Sequence, residues 1–173
     1  MTIQELEKFI EQYGKSIYSF CMKLSLNKDE ADELYQDTWL KAMQVVGRIK
    51  PDENVKSFLL SIVIGIWKNK KKSFAVRNRI APFVPISEEI NHIPDTGEDS
   101  MKEILDLERR QVVLEAIASL EDIYRIPILL YYMEEQKVKE IAKELHIPEG
   151  TVKRRLMTAR KKLSIKLEAY INE

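Results

Sequence analysis

Apolar residues recur at three- and four-residue steps along most of the chain. Ile3, Leu6, Phe9, Ile10, Tyr13, Ile17, Phe20 and Leu24 form the first such series, the spacing of an amphipathic helix that buries one face. Asn27 interrupts it. A second helix is predicted from Lys28-Asp29-Glu30, with Asp29 as its cap and Ala31, Leu34, Tyr35, Thr38, Trp39, Ala42, Val45 and Val46 as its apolar stripe. Gly47 and Pro51 close that segment. A third helix is predicted to start near Asn54 or Ser57 and to run to about Lys72, because Phe58, Leu59, Ile62, Val63, Ile66 and Trp67 hold the helical period until lysines replace them.

Pro82, Pro85, Pro94 and Gly97 then punctuate an acid-rich stretch too broken for long regular structure, so 75–100 reads as a linker. From Met101 the helical period returns through Ile104, Leu105, Leu107, Val112, Val113, Leu114, Ile117, Ala118 and Leu120 and continues to the C-terminus. Pro127 is tolerated in the first turn of a helix, which predicts a helix start near Arg125, the alternative being a kink within a longer helix. The expected fold is all-α, with two small helical domains joined by a flexible acidic linker. The expected boundaries are 1–74, 75–105 and 106–173.

Charge changes this picture because it is segregated. The 28 Lys and Arg balance the 28 Asp and Glu of the 173 residues, yet Lys68, Lys70, Lys71, Lys72, Arg77 and Arg79 form a run without an acid, suited to phosphate. From Ile86 to Glu108 the balance reverses, and Lys102 is the lone cation among eight acids. The last third is basic again. The single cysteine, Cys21, excludes an intramolecular disulfide, and with His92 and His146 as the two histidines no zinc site is expected. No cofactor is expected either. The N-terminus lacks the pattern of a signal peptide and no apolar run spans a bilayer, so a cytoplasmic, non-membrane protein is expected. A Gly-rich phosphate loop and a nucleophile with histidine and carboxylate partners are missing, which argues against an enzyme.

The most specific signal lies at 138–156. VKEIAKEL (138–145), a turn HIPEG (146–150) and TVKRRL (151–156) are two short helices joined tightly, the pattern of a helix-turn-helix. Ile141, Ala142 and Leu145 form the inner face of the first helix, Ile147 plugs the angle, and Val152, Leu156 and Ala159 complete the core. The opposite face of the second helix can enter a major groove. Its early residues Glu149, Thr151, Lys153 and Arg154 approach base edges, while Arg155 and later cations such as Arg160 meet phosphates.

SLEDIYR (119–125), LLYY (129–132), EIA (140–142) and GTVKRRL (150–156) together resemble region 4 of extracytoplasmic-function sigma factors, a branch of the sigma-70 family. ADELYQDTWLKA (31–42) is similar to region 2 of the same family. The resemblance implies that 1–74 is region 2, a bundle of three or four helices that binds the polymerase clamp and the promoter −10 element. It implies likewise that 106–173 is region 4, which reads the −35 element and touches the polymerase flap. On this basis Asp32, Glu33, Gln36 and Asp37 contact the clamp helices, and Asn54, Lys56, Lys68, Asn69, Lys70, Lys71 and Lys72 lie at the −10 region. The implied partners are core RNA polymerase, promoter DNA and an anti-sigma factor.

The chain departs from the family at several positions, among them His146, where glycine is common, and above all before and within the third helix. The usual aromatic-and-arginine loop is replaced by PDENV (51–55), Phe58 stands where tryptophan is common, and Val63-Ile64-Gly65 replaces a polar turn. The −10 sequence preference is therefore not inherited. Two other readings stand beside this one: a free-standing helix-turn-helix regulator, which lacks the heptads of a dimerisation element, and a sigma-like mimic that titrates an anti-sigma factor. Trp39 and Cys21 are expected in the core, and His146 is expected as a solvated turn residue.

Overall fold

A computed structural model describes residues 3–45, 47, 54–80 and 101–171, with side chains over 7–45, 47, 54–75 and 109–170. Seven α-helices and no strand occur among the described residues: α1 (Ile3–Ser25), α2 (Lys28–Val45), α3 (Val55–Ile80), α4 (Met101–Ala118), α5 (Asp122–Tyr132), α6 (Val138–Leu145) and α7 (Glu149–Ile171). The chain divides into two compact units, 1–91 and 92–173.

In the first unit α2 packs against both α1 and α3. The stripes predicted from periodicity form its core: Ile17, Phe20 and Leu24 from α1, Ala31, Leu34 and Ala42 from α2, and Leu59, Val63 and Trp67 from α3 are all at most 2 % exposed. Trp39 and Cys21 are buried with them. Gly14 leaves room on α1 for the Tyr35 hydroxyl of α2, which a Cβ there would meet at 2.9 Å. Leu26 adopts a left-handed φ of 64° as α1 ends, a conformation that costs a non-glycine residue about 1–2 kcal/mol.

The cap of α2 is Asn27, not Asp29. Its Oδ1 accepts from the Glu30 backbone N–H at 3.1 Å, whereas Asp29 sits in the first turn, where an acid favours the helix dipole. α3 continues to Ile80, eight residues past its predicted end, because a lysine cluster ends an apolar stripe without breaking a helix. The prolines and most acids of the predicted linker lie outside the described residues, as do 48–53.

In the second unit α7 packs against α4, α5 and α6. α5 is the central element, since Arg125 through Leu130 are all buried. It starts at Asp122, three residues before the predicted start, which places Pro127 in its second turn. The proline ring is buried in the core, so packing offsets the hydrogen bond that its missing N–H forfeits. No described helix is long and apolar enough to cross a membrane.

Candidate nucleic-acid interface

The helix-turn-helix is built from local signals. Glu140 Oε2 accepts from the Lys137 backbone N–H at 2.8 Å and fixes the start of α6. At its end His146 takes the left-handed conformation (φ 53°, ψ 45°), and its N–H returns to the carbonyls of Ala142 and Lys143. That is the geometry of a helix C-cap for which glycine is the favoured residue. Ile147 N–H then bonds Ala142 O at 3.1 Å, and the Pro148 carbonyl accepts from Thr151 and Val152 to begin α7. The Gln136 amide donates to Glu144 at 2.8 Å and ties the preceding loop to α6.

This frame fixes which side of α7 meets solvent. Val152, Leu156 and Ala159 are at most 2 % exposed and seat α7 on the core. Lys153 and Arg154 project from the opposite side, Glu149 is exposed at the helix start, and Thr151 and Arg155 are half-buried at its flanks. Met157, which periodicity did not single out, is 64 % exposed on that same outer side.

Arg160 is anchored to α5. Its Nε donates to the Tyr132 hydroxyl at 2.7 Å, and the guanidinium lies 5.5 Å and 5.6 Å from the ring centres of Tyr131 and Tyr132. Lys162 rests over Tyr124 at 5.3 Å. The tyrosines hold these cations by cation–π attraction without neutralising them. No sequence signal joins Tyr132 to Arg160, since 28 residues separate them.

Arg125 secures the junction of α4 and α5. Its guanidinium donates to the Ala118 carbonyl at 3.0 Å and to the Asp122 carboxylate. Burial pushes its pKa below the usual arginine value, against the opposing pull of Asp122. The arginine in SLEDIYR is thus a structural clamp.

In the first unit the cations of the predicted −10 surface have varied surroundings. Asn54 caps α3, its Oδ1 accepting from the Ser57 backbone N–H at 3.2 Å. Lys56 is half-buried, while Lys68, Asn69 and Lys72 are exposed. Lys71 lies over the Trp67 ring at 4.7 Å. Lys70 Nζ is paired with Glu33 Oε2 at 2.7 Å, so the structure joins one residue of the predicted DNA surface to one of the predicted polymerase surface.

The remaining acids of α2 are less uniform than the sequence suggested. Asp32 accepts from the Tyr18 hydroxyl at 2.6 Å, and that hydrogen bond, followed by burial, raises the tyrosine pKa to about 12. Asp37 is half-buried and Gln36 exposed. Next to them Leu40 and Met43, 54 % and 43 % exposed, add an apolar component to this face. Their place off the apolar stripe of α2 was the available signal, since neither belongs to the series that forms the core.

Two compact helical units, one carrying a helix-turn-helix with an outward basic face and the other a lysine-rich helix, define a two-part protein of the nucleic-acid-binding class. The profile "Sigma-70 region 2" matches residues 9–75 and "Sigma-70, region 4" matches 110–163. Curated relatives include the ECF RNA polymerase sigma factor SigW of Bacillus subtilis, 25% identical over 89% of this chain and 84% of the relative. The RNA polymerase sigma factor SigV of the same organism is 27% identical over 91% and 88%. Among solved structures, the sigma factor RpoE in complex with the anti-sigma factor NepR from Bartonella quintana has the same fold. Its TM-score is 0.80 at 20% identity, covering 96% of this chain and 98% of that one. The chain belongs to the sigma-70 family, among sigma factors of the extracytoplasmic-function type.

Proposed function

We propose that the protein binds core RNA polymerase and directs promoter-specific initiation, its first unit holding the clamp and the −10 region and its second reading the −35 element. The observation that carries this reading is the exposed basic side of α7, with Lys153 and Arg154 turned away from a core that fixes the helix. Such a helix supplies both donors for base edges and charge for phosphates. Asp32, Glu33, Gln36 and Asp37 on α2 serve the clamp contact, and Lys56 with the Lys68–Lys72 cluster serves the DNA backbone during strand opening. Catalysis belongs to the polymerase, and the chain itself acts as a cytoplasmic initiation factor. Two structural relatives were solved with protein partners, RpoE with the anti-sigma factor NepR and CnrH with the cytosolic domain of CnrY, which supports an anti-sigma partner here.

The test is promoter-selected transcription from a genomic fragment library with purified protein and bacterial core polymerase. Arg154→Ala and a Lys70/Lys71/Lys72→Ala triple variant run alongside. Core-dependent initiation at a shared two-element promoter, weakened by both variants, is the expected result. Core binding without initiation points instead to a mimic, and DNA binding without core to a free-standing regulator.

A further inference from the structure

Over the first three turns of α7 the exposed side is polar, and Met157 is the exception there; Ile165 and Tyr170 are exposed only farther along the helix. It is 64 % exposed, the largest value among the exposed large hydrophobic residues described. It stands four residues after Lys153, three after Arg154 and four before Lys161, all of them exposed, so it shares their side of the helix. Leu156, its immediate neighbour, is 2 % exposed and faces the core. The thioether therefore contributes nothing to the packing of this unit, and it projects from the middle of the basic surface.

A groove lined with phosphates attracts the cations around Met157 and carries the helix in with them. Inside a major groove the one apolar feature offered by a base pair is the C5 methyl of thymine. An unbranched side chain with three rotatable bonds can follow that methyl where a shorter residue would leave a gap. We propose that Met157 is a specificity-determining residue of the second unit and covers the C5 methyl group of a thymine in the upstream promoter element, one helical turn beyond the base contacts of Arg154. This inference rests on the proposed reading of α7 as the promoter-reading helix.

The test uses holoenzyme assembled with core polymerase on the promoter recovered by the selection described above. Each thymine of the upstream element is replaced in turn by deoxyuridine, which removes the methyl and keeps the pairing edge. At one position the replacement is expected to weaken promoter binding by about fourfold, the effect of one buried methyl group. Met157→Ala is expected to weaken binding to the thymine promoter by a similar factor and to be indifferent to deoxyuridine at that position. Met157→Leu is expected to keep the discrimination. An upstream element without thymine, the absence of any sensitive position, or equal sensitivity in the wild type and Met157→Ala overturns the assignment. So does a Met157→Ala defect that is identical on every template, which marks a protein contact. If wild-type holoenzyme initiates but leaves the upstream element unprotected against nuclease, the promoter-reading role of α7 itself fails, an outcome distinct from the loss of the Met157 contact alone.

Discussion

The two basic helices both rest cations on aromatic rings, and they differ in a carboxylate pairing found on one of them. On α3, Lys71 lies over the Trp67 ring, but Lys70 meets the carboxylate of Glu33. On α7, Arg160 and Lys162 lie on tyrosine rings of α5. A carboxylate cancels the charge it fixes, whereas a ring face orients a cation and leaves its charge available to phosphate. Arg160 and Lys162 therefore keep their charge and are held in set positions. On α3 the Lys70–Glu33 pair joins the lysine cluster to α2, on the face proposed above to meet polymerase, so that the proposed docking and DNA contacts would draw on one ion pair.

The largest expected effects ask whether the two compact units unfold independently. Leu156→Ala removes a core side chain of the second unit and Leu34→Ala one of the first. Each is expected to cost about 2–5 kcal/mol. In urea unfolding of the full chain followed residue by residue, each variant should lower the transition of its own unit and leave the other in place. A shift common to both units would break the comparison at its root.

Next in size are the surface cations. Arg154→Ala leaves stability unchanged and is expected to reduce initiation at the cognate promoter by about tenfold or more, since a bidentate base contact contributes about 1–3 kcal/mol. The Lys70/Lys71/Lys72→Ala variant should instead weaken binding across sequences and flatten its salt dependence. If Arg154→Ala weakens all templates equally, the residue touches phosphate, and sequence reading belongs elsewhere on α7.

Alkali separates the units in another way. Burial raises the Cys21 thiol from 9.0 to about 12, and the hydrogen bond to Asp32 raises Tyr18 from 10.0 to about 12. In that interval the unfolded chain has lost protons that the folded first unit retains. The stabilisation is complete below about pH 9 and disappears as pH rises toward 12. The first unit should thus lose stability over this range, and Cys21→Ala should reduce the slope. Among the described residues of the second unit the resolved shift is a lowering at Arg125, a guanidinium that stays protonated over this range, so that unit should lose less stability there. Unfolding midpoints measured from pH 8 to 11 check both statements.

The helices were legible because amphipathic periodicity is a local property of the chain, and the helix-turn-helix was legible because its core positions lie within 22 residues of sequence, 138–159. The clamp of Arg125, the C-cap at His146 and the cap by Asn27 depend on backbone geometry, and several residues qualify for each on composition alone. Pro127 was misplaced because its tolerance depends on burial, a tertiary property. Contacts such as Glu33 with Lys70 and Tyr132 with Arg160 depend on helices that meet only after folding. Met157 escaped notice because one apolar residue on a polar face leaves no period to detect.

The smallest effects bear most directly on how the cations are held, because opposite signs are expected for two conservative changes. Tyr132→Phe removes the hydrogen bond to Arg160 and keeps the ring, so the charge of α7 is unchanged and only its position loosens. Promoter binding should weaken by about threefold, within the range of about 0.5–1.5 kcal/mol for one hydrogen bond. Glu33→Gln releases Lys70 from its ion pair. An exposed pair contributes about 0.2–1 kcal/mol, so DNA binding by the assembled holoenzyme should strengthen by at most about fivefold while affinity for core polymerase falls. Lys70→Ala supplies the control. In the double variant the gain from Glu33→Gln should vanish, because there is no ammonium left to release. If the gain persists without Lys70, it reflects only the removal of a negative charge near DNA, and the shared ion pair does not couple the two faces. If Tyr132→Phe and Glu33→Gln shift binding in the same direction, ring-held and carboxylate-held cations are equivalent, and the distinction between the helices reduces to their sequence.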